Sequence, residues 1–286
     1  MTGDSLFRLK GGLAPGTAVA MLGAGAVLGA AAQYLWLFQE QAFAFRVWGF
    51  SMIPAYLVQL PFLFALFDVD ASSFARLRTV LGRPLQWLLA TVLLLSGYVA
   101  VIGLHSGSGG SLDPSWKWST LAMSALLDLP LLLLFTLPML LVQELFYRSA
   151  VRQLLADRPT FVQDLLSALF WTVGQGVLLW RAFITFSPSF AASLCLIAFS
   201  TGFFASAAQR RGAILLSGFT VVASISFAIL LFGCDIPDLN HVLFGHDVEA
   251  IDGLFPKSLR GRESYSFIVA ASLFVSAFLL RFRKSS

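Results

Sequence analysis

Charged side chains are scarce in this sequence. Asp, Glu, Lys and Arg make up 12% of the 286 residues, whereas soluble globular domains carry about 25%. This shortage excludes an ordinary soluble domain. The formal net charge is +4, but the basic residues are scattered over short segments, so the sequence does not indicate a surface that binds nucleic acid.

Cysteine and histidine are also rare, with two and three residues respectively. Cys195 falls within the predicted sixth span and Cys234 at the outer end of the seventh, so no disulfide between them is implied. His105, His241 and His246 all fall in predicted outer loops, and the last two are not at the i, i+3 or i, i+4 spacing that places two metal ligands on one helix face. The chain also has no G-x-S-x-G motif. The sequence therefore predicts no metal site and no cofactor.

Apolar residues take the place of the missing charges. They form 58% of the chain, and the mean hydropathy is +0.81. Because a helix needs roughly 20 apolar residues to cross a bilayer, the sequence predicts an all-α, polytopic transmembrane helix bundle of about eight spans. We expect one domain over residues 1–286. The predicted spans are 13–38, 46–67, 85–104, 118–142, 162–180, 185–207, 212–233 and 265–282.

The distribution of Lys and Arg predicts the orientation. With the N-terminus inside, the inner segments hold 13 of the 19 basic residues and the outer segments hold six. Cytoplasmic loops are enriched in Lys and Arg, so we expect an integral, multi-pass membrane protein with both termini cytoplasmic. The outer loop at 234–264 is then the largest segment outside the membrane, where a partner protein can dock.

The segment 131–155 begins as an apolar run and ends with charged residues; it reads LLLLFTLPMLLVQELFYRSAVRQLL. Gln143 and Glu144 follow an apolar segment that is long enough to cross a bilayer, and Arg148 comes four residues after Glu144. Residues four apart share a helix face, so Glu144 and Arg148 are expected to pair. Charged groups at the end of a span are costly to desolvate and are functional candidates for that reason.

This pattern resembles the first motif, E-E-x-x-x-R, of the CPBP (CAAX protease and bacteriocin-processing, Abi) family of intramembrane proteases. Gln143, Glu144 and Arg148 occupy its polar positions. The resemblance implies a core at about 118–233, with Glu144 and Arg148 at catalytic positions. In the family, the first glutamate activates the attacking water. Gln143 replaces that glutamate here, and an amide oxygen cannot serve as a general base.

The two later motifs of the family, F-x-x-x-H and H-x-x-x-N, have lost their histidines in this chain. In the second motif, Phe170 is present and Gly174 stands at the histidine position. In the third, Thr220 stands at the histidine position and Ser224 at the asparagine position. The resemblance therefore indicates a degenerate member of the family.

Two further features stand outside the motifs. Asp128 falls inside the predicted fourth span, where an aspartate is a functional candidate, but 16 residues separate it from Glu144, or roughly 24 Å of helix. Gly25 and Gly29 form a G-x-x-x-G sequence in the first span, a spacing that permits close helix packing.

Three hypotheses follow from the sequence. The leading one is a non-proteolytic pseudoprotease that serves in binding, immunity or as a complex subunit, with membrane lipids and a peptide or membrane protein as partners. The second is an active CAAX-type endopeptidase with Glu144 as base and Gln143, Gln175 or Thr220 in support. The third is a transporter or structural subunit with none of the family's chemistry, in which Asp128 lines a polar path.

Overall fold

The computed structural model describes residues 7–39, 53–69, 84–107, 141–176, 179–180, 188–210, 214, 216–221, 224 and 265–282. About 90% of this part of the chain is helical, as the apolar composition predicts. The long helices are α1 (Pro15–Gln39), α2 (Ile53–Leu66), α3 (Pro84–Gly107), α5 (Thr160–Gly174), α6 (Pro188–Gln209) and α7 (Ser266–Phe282). The helical segment 141–154 precedes α5 and is called α4 below.

Three of these helices contain stretches that are long and apolar enough to cross a membrane: Pro15–Leu35, Pro84–Val101 and Ala191–Gln209. The stretches in α2 and α7 are apolar but shorter. These helices indicate a membrane protein. Each overlaps a span predicted from the sequence, whereas most of the predicted span 118–142 and of the span 212–233 lies outside the described residues.

Helix α6 is the centre of the described bundle. Within the most apolar part of α6, 72% of the residues are buried, whereas 28% are buried in the corresponding parts of α1 and α3. It packs on α5 and on α7, and α7 packs on α3. Helices α1 and α2 form a second pair that contacts α4 and α5. A helix surrounded by others is apolar on every side, which is the pattern of the α6 sequence.

Small residues let α1 approach its neighbours closely. A Cβ atom at Gly25 would lie 2.8 Å from the Phe146 ring, and one at Gly29 would lie 2.8 Å from Nε2 of Gln59 on α2. The G-x-x-x-G sequence therefore marks a helix contact, which its spacing permits.

A short antiparallel ladder interrupts the all-helical pattern. Strand β1 (Phe7–Leu9) pairs with β2 (Phe67–Val69), with Arg8 opposite Asp68. The backbone N–H of Leu9 donates to Oε1 of Gln153 at 2.9 Å, which fixes the ladder to α4. The prediction of an all-α chain missed this ladder, because strands of three residues carry too little alternation to be recognised.

Candidate functional site

The predicted motif lies on α4, at a distortion of the helix. Residues Leu145–Ser149 form a π-helical turn, and Ala150–Leu154 continue as an α-helix. π-Helical turns are rare in proteins, but those that do occur are frequently found at functional sites. The turn begins directly after Glu144 and contains Arg148, so the distortion coincides with the two charged residues that the sequence singled out.

Glu144 and Arg148 form the ion pair that their spacing predicts. Nη1 of Arg148 donates to Oε1 of Glu144, and both side chains are 0% exposed. The guanidinium also lies over the Trp171 ring, 5.6 Å from its centroid. Nε and Nη2 of Arg148 have no hydrogen-bond partner among the described residues. This edge of the buried cation therefore has no acceptor within the described part of the chain.

The second carboxylate oxygen of Glu144 is also occupied. It accepts a hydrogen bond from the hydroxyl of Ser217, in the helical segment 216–221. Gln209, at the end of α6, donates to the hydroxyl of Ser149 at 3.2 Å and approaches the backbone oxygen of Glu144 at 3.5 Å. Protein groups from three segments thus hold Glu144.

Gln143 and Gly174 occupy two of the altered motif positions. Oε1 of Gln143 accepts a hydrogen bond from the Tyr56 hydroxyl at 3.1 Å. Gly174 is the last residue of α5, and a Cβ atom there would collide with Oη of Tyr147. That hydroxyl accepts from Nε2 of Gln59 at 2.9 Å. Tyr147 therefore fills the space that a side chain at position 174 would need.

Thr220 and Ser224 occupy the positions of the third motif. The Thr220 hydroxyl donates to the backbone oxygen of Ser217 at 2.8 Å, within its own helical turn. The Ser224 hydroxyl lies 2.8 Å from that of Tyr98 and 2.7 Å from that of Thr201. Both residues are buried and bonded to other protein groups. Thr220 is thus linked to Glu144 through Ser217, whereas Ser224 bonds α3 to α6.

Sequence reasoning missed a second buried carboxylate, Asp164 on α5. Arg210 donates its Nε to both Asp164 oxygens at 3.0 Å, Arg281 binds Oδ2, and Nε of Arg152 lies 3.7 Å from Oδ1. Arg152, Arg210 and Arg281 are among the 13 basic residues of the predicted inner segments. The signal in the sequence that could have identified this site is Asp164 itself, a single acidic residue at the start of the predicted span 162–180.

The remaining sequence candidates lie away from the site or outside the described residues. Asp128, His241, His246 and the loop 234–264 are outside them. His105 belongs to the last turn of α3. Helices α3 and α7 are antiparallel, because Ser96 contacts Ser272 while Leu93 contacts Ser276. The His105 end of α3 is thus remote from Arg281.

Within the described ranges, no group of three or more His, Cys, Asp or Glu side chains is placed to hold a metal ion. Cys195 is exposed on α6. Comparisons of the chain with protein-family models, with curated proteins and with solved structures found no match. The resemblance to the CPBP family therefore depends on the motif residues and on their spacing.

Proposed function

We propose that this chain is a pseudoprotease of the CPBP type, an eight-span protein of a bacterial inner membrane with both termini cytoplasmic. It acts by binding a peptide or membrane-protein partner, as an immunity protein or complex subunit, and does not cleave that partner. The observation that carries the proposal is the state of Glu144, whose two oxygens are occupied by Arg148 and Ser217.

Hydrolysis of a peptide bond by this type of site needs a general base that is within hydrogen-bond reach of a water molecule. Glu144 is fully buried and already accepts hydrogen bonds at both oxygens. Gln143 cannot take a proton, and the positions of the two family histidines hold Gly174 and Thr220. Of the four polar groups that would act together in the family, Glu144 is held by other side chains and the other three are replaced. This supports a structural role for Glu144.

Arg148 supplies the contact that favours binding. Its Nε and Nη2 donors point from one edge of the guanidinium, and this edge is the one that forms bidentate hydrogen bonds with a carboxylate or a pair of carbonyl oxygens. Because Nη1 is held by Glu144, the orientation of that edge is fixed. Because Arg148 is itself fully buried, an extended segment of a partner reaches these two donors only when the helices around the pair move apart, and its binding then requires no catalytic step.

The test separates cleavage from binding. The purified protein in lipid nanodiscs is incubated with a panel of prenylated and unprenylated membrane peptides, and the products are analysed by mass spectrometry. We expect no cleavage by the wild type. Affinity recovery from native membranes is expected to yield a partner that is lost with Arg148→Lys, which keeps the charge but removes the bidentate edge.

Arg158→Lys is the matched control, because Arg158 is exposed at the same end of the bundle. It is expected to retain the partner. Cleavage that is abolished by Glu144→Gln, with the variant still folded, would overturn the proposal in favour of an active endopeptidase.

A further inference from the structure

The cluster around Asp164 has more positive than negative charge. Three guanidinium groups, from Arg152, Arg210 and Arg281, surround one carboxylate. Arg152 has interactions besides the one with Asp164. Arg210 and Arg281 share the single carboxylate of Asp164, so these two cations alone leave an excess of one positive charge. Partly buried cations are costly without a counter-charge.

Two members of the cluster can be reached from outside the protein. The side chains of Arg210 and Arg281 retain 23% and 16% of their exposure, whereas Asp164 retains none. Nε of Arg281 has no hydrogen-bond partner among the described residues. Asp164 thus positions the two guanidinium groups from within, and the outer side of the cluster is open to an anion.

The surroundings of the cluster are apolar. Arg281 lies over the rings of Phe161 and Phe278, at 5.5 and 5.8 Å from their centroids. These two rings stack on each other at 6.3 Å, and they are 44% and 39% exposed. A site for an anion from solution has no need of exposed aromatic rings. A ligand with a charged head and a hydrocarbon tail uses both features.

The position of the cluster along the bundle agrees with such a ligand. Arg210 directly follows the apolar stretch Ala191–Gln209, and Arg281 ends the apolar stretch Ser266–Arg281. Both cations therefore lie where the hydrocarbon core of a membrane ends and the phosphate groups of its lipids begin. Basic pockets between helices at this level bind anionic headgroups.

We propose that Arg210 and Arg281, held by Asp164, bind the phosphate of an anionic phospholipid, and that Phe161 and Phe278 contact its acyl chains. The site is independent of the resemblance to a protease family, since it requires only that the described helices lie in a membrane. Failure of the partner-binding proposal would therefore leave it unaffected.

The test measures lipid binding by native mass spectrometry and by thermal unfolding of the detergent-purified protein. Phosphatidylglycerol is the anionic probe and phosphatidylcholine the zwitterionic control. We expect phosphatidylglycerol alone to remain bound and to raise Tm. Arg281→Gln is expected to weaken this binding at least tenfold, whereas Arg158→Gln, which removes the same charge from an exposed position, leaves it unchanged.

Three outcomes would overturn the proposal. The first is equal binding of the two lipids, and the second is an equal loss of phosphatidylglycerol binding in Arg281→Gln and Arg158→Gln. The third is a rise in Tm with inorganic phosphate that is as large as the rise with phosphatidylglycerol. The last result would assign the cluster to a free anion. If Arg281→Gln does not fold, Phe278→Ala provides the second variant. Its charges are intact, and it is expected to weaken phosphatidylglycerol binding relative to Leu279→Ala, an exposed neighbour.

Discussion

At the residue scale, Glu144 matters most because it neutralises a guanidinium that is itself fully buried. Glu144→Gln would leave Arg148 as an uncompensated charge in the core. Removal of one partner from a buried ion pair costs about 3–5 kcal/mol. We expect a loss of this size in the free energy of unfolding, measured by denaturant titration of the protein in mixed micelles.

The exposed pair of Asp157 and Arg158 provides the control for that measurement. These side chains are 75% and 64% exposed, and surface ion pairs contribute little to stability. Asp157→Asn is therefore expected to leave the unfolding transition unchanged. The double variant Glu144→Gln/Arg148→Met should be more stable than Glu144→Gln alone, since it no longer buries an unpaired charge. If the double variant is the less stable of the two, the ion pair is not the reason for the loss.

Gly174 is a second residue whose importance follows from its surroundings. A methyl group there collides with the hydroxyl and ring of Tyr147, so Gly174→Ala must displace a tyrosine that is bonded to Gln59. Overpacking of this kind costs about 1–3 kcal/mol. In α3, Gly103 has no atom within 4 Å of an added Cβ, so Gly103→Ala is expected to preserve or raise Tm. Equal changes in Tm for Gly174→Ala and Gly103→Ala, measured by thermal unfolding, would contradict this explanation.

At the element scale, the contact between α1 and α2 depends on its small residues. Gly29→Val places a branched side chain against Gln59 and the backbone of α2, and we expect a lower Tm because the two helices must separate. Gly23 lies on the same helix, and a Cβ atom added there would have no other atom within 4 Å. Gly23→Val is therefore the matched control. A Tm for Gly29→Val that equals the Tm of the control would show that the contact does not stabilise the bundle.

Three helices were predictable along their whole length because their apolar runs are as long as the helices themselves. The predicted spans 13–38, 85–104 and 265–282 differ by at most three residues per end from α1, α3 and α7. The pairing of Glu144 with Arg148 was predictable too, since it is local. The π-helical turn has no sequence signal, and the contacts of Ser217 with Glu144 and of Arg281 with Asp164 join residues 73 and 117 positions apart. Contacts of this range depend on packing that no periodicity describes.

At the scale of the whole molecule, the described charges gather at one end of the bundle. Every Lys, Arg, Asp and Glu in the described ranges belongs to the ladder and its flank, to α4 and the turn after it, to the start of α5, or to the ends of α6 and α7. The hydrogen bond of Leu9 to Gln153 and the arginines around Asp164 bring these segments together. Basic residues outnumber acidic ones among them, and cytoplasmic segments are enriched in Lys and Arg, so we propose that this end faces the cytoplasm.

This assignment predicts which positions react from each side of the membrane. In a variant with Cys195→Ala and Cys234→Ala, single cysteines are placed at Lys10, Arg158 and Ser106 and treated with an impermeant maleimide. Lys10→Cys and Arg158→Cys must react together, because Leu9 is bonded to α4 close to Arg158. They should react only in opened cells. Ser106→Cys, at the far end of α3, should react in intact cells. Labelling of all three from one side would show that α3 does not cross the membrane, whereas exchange of the two sides would keep the span and reverse the orientation.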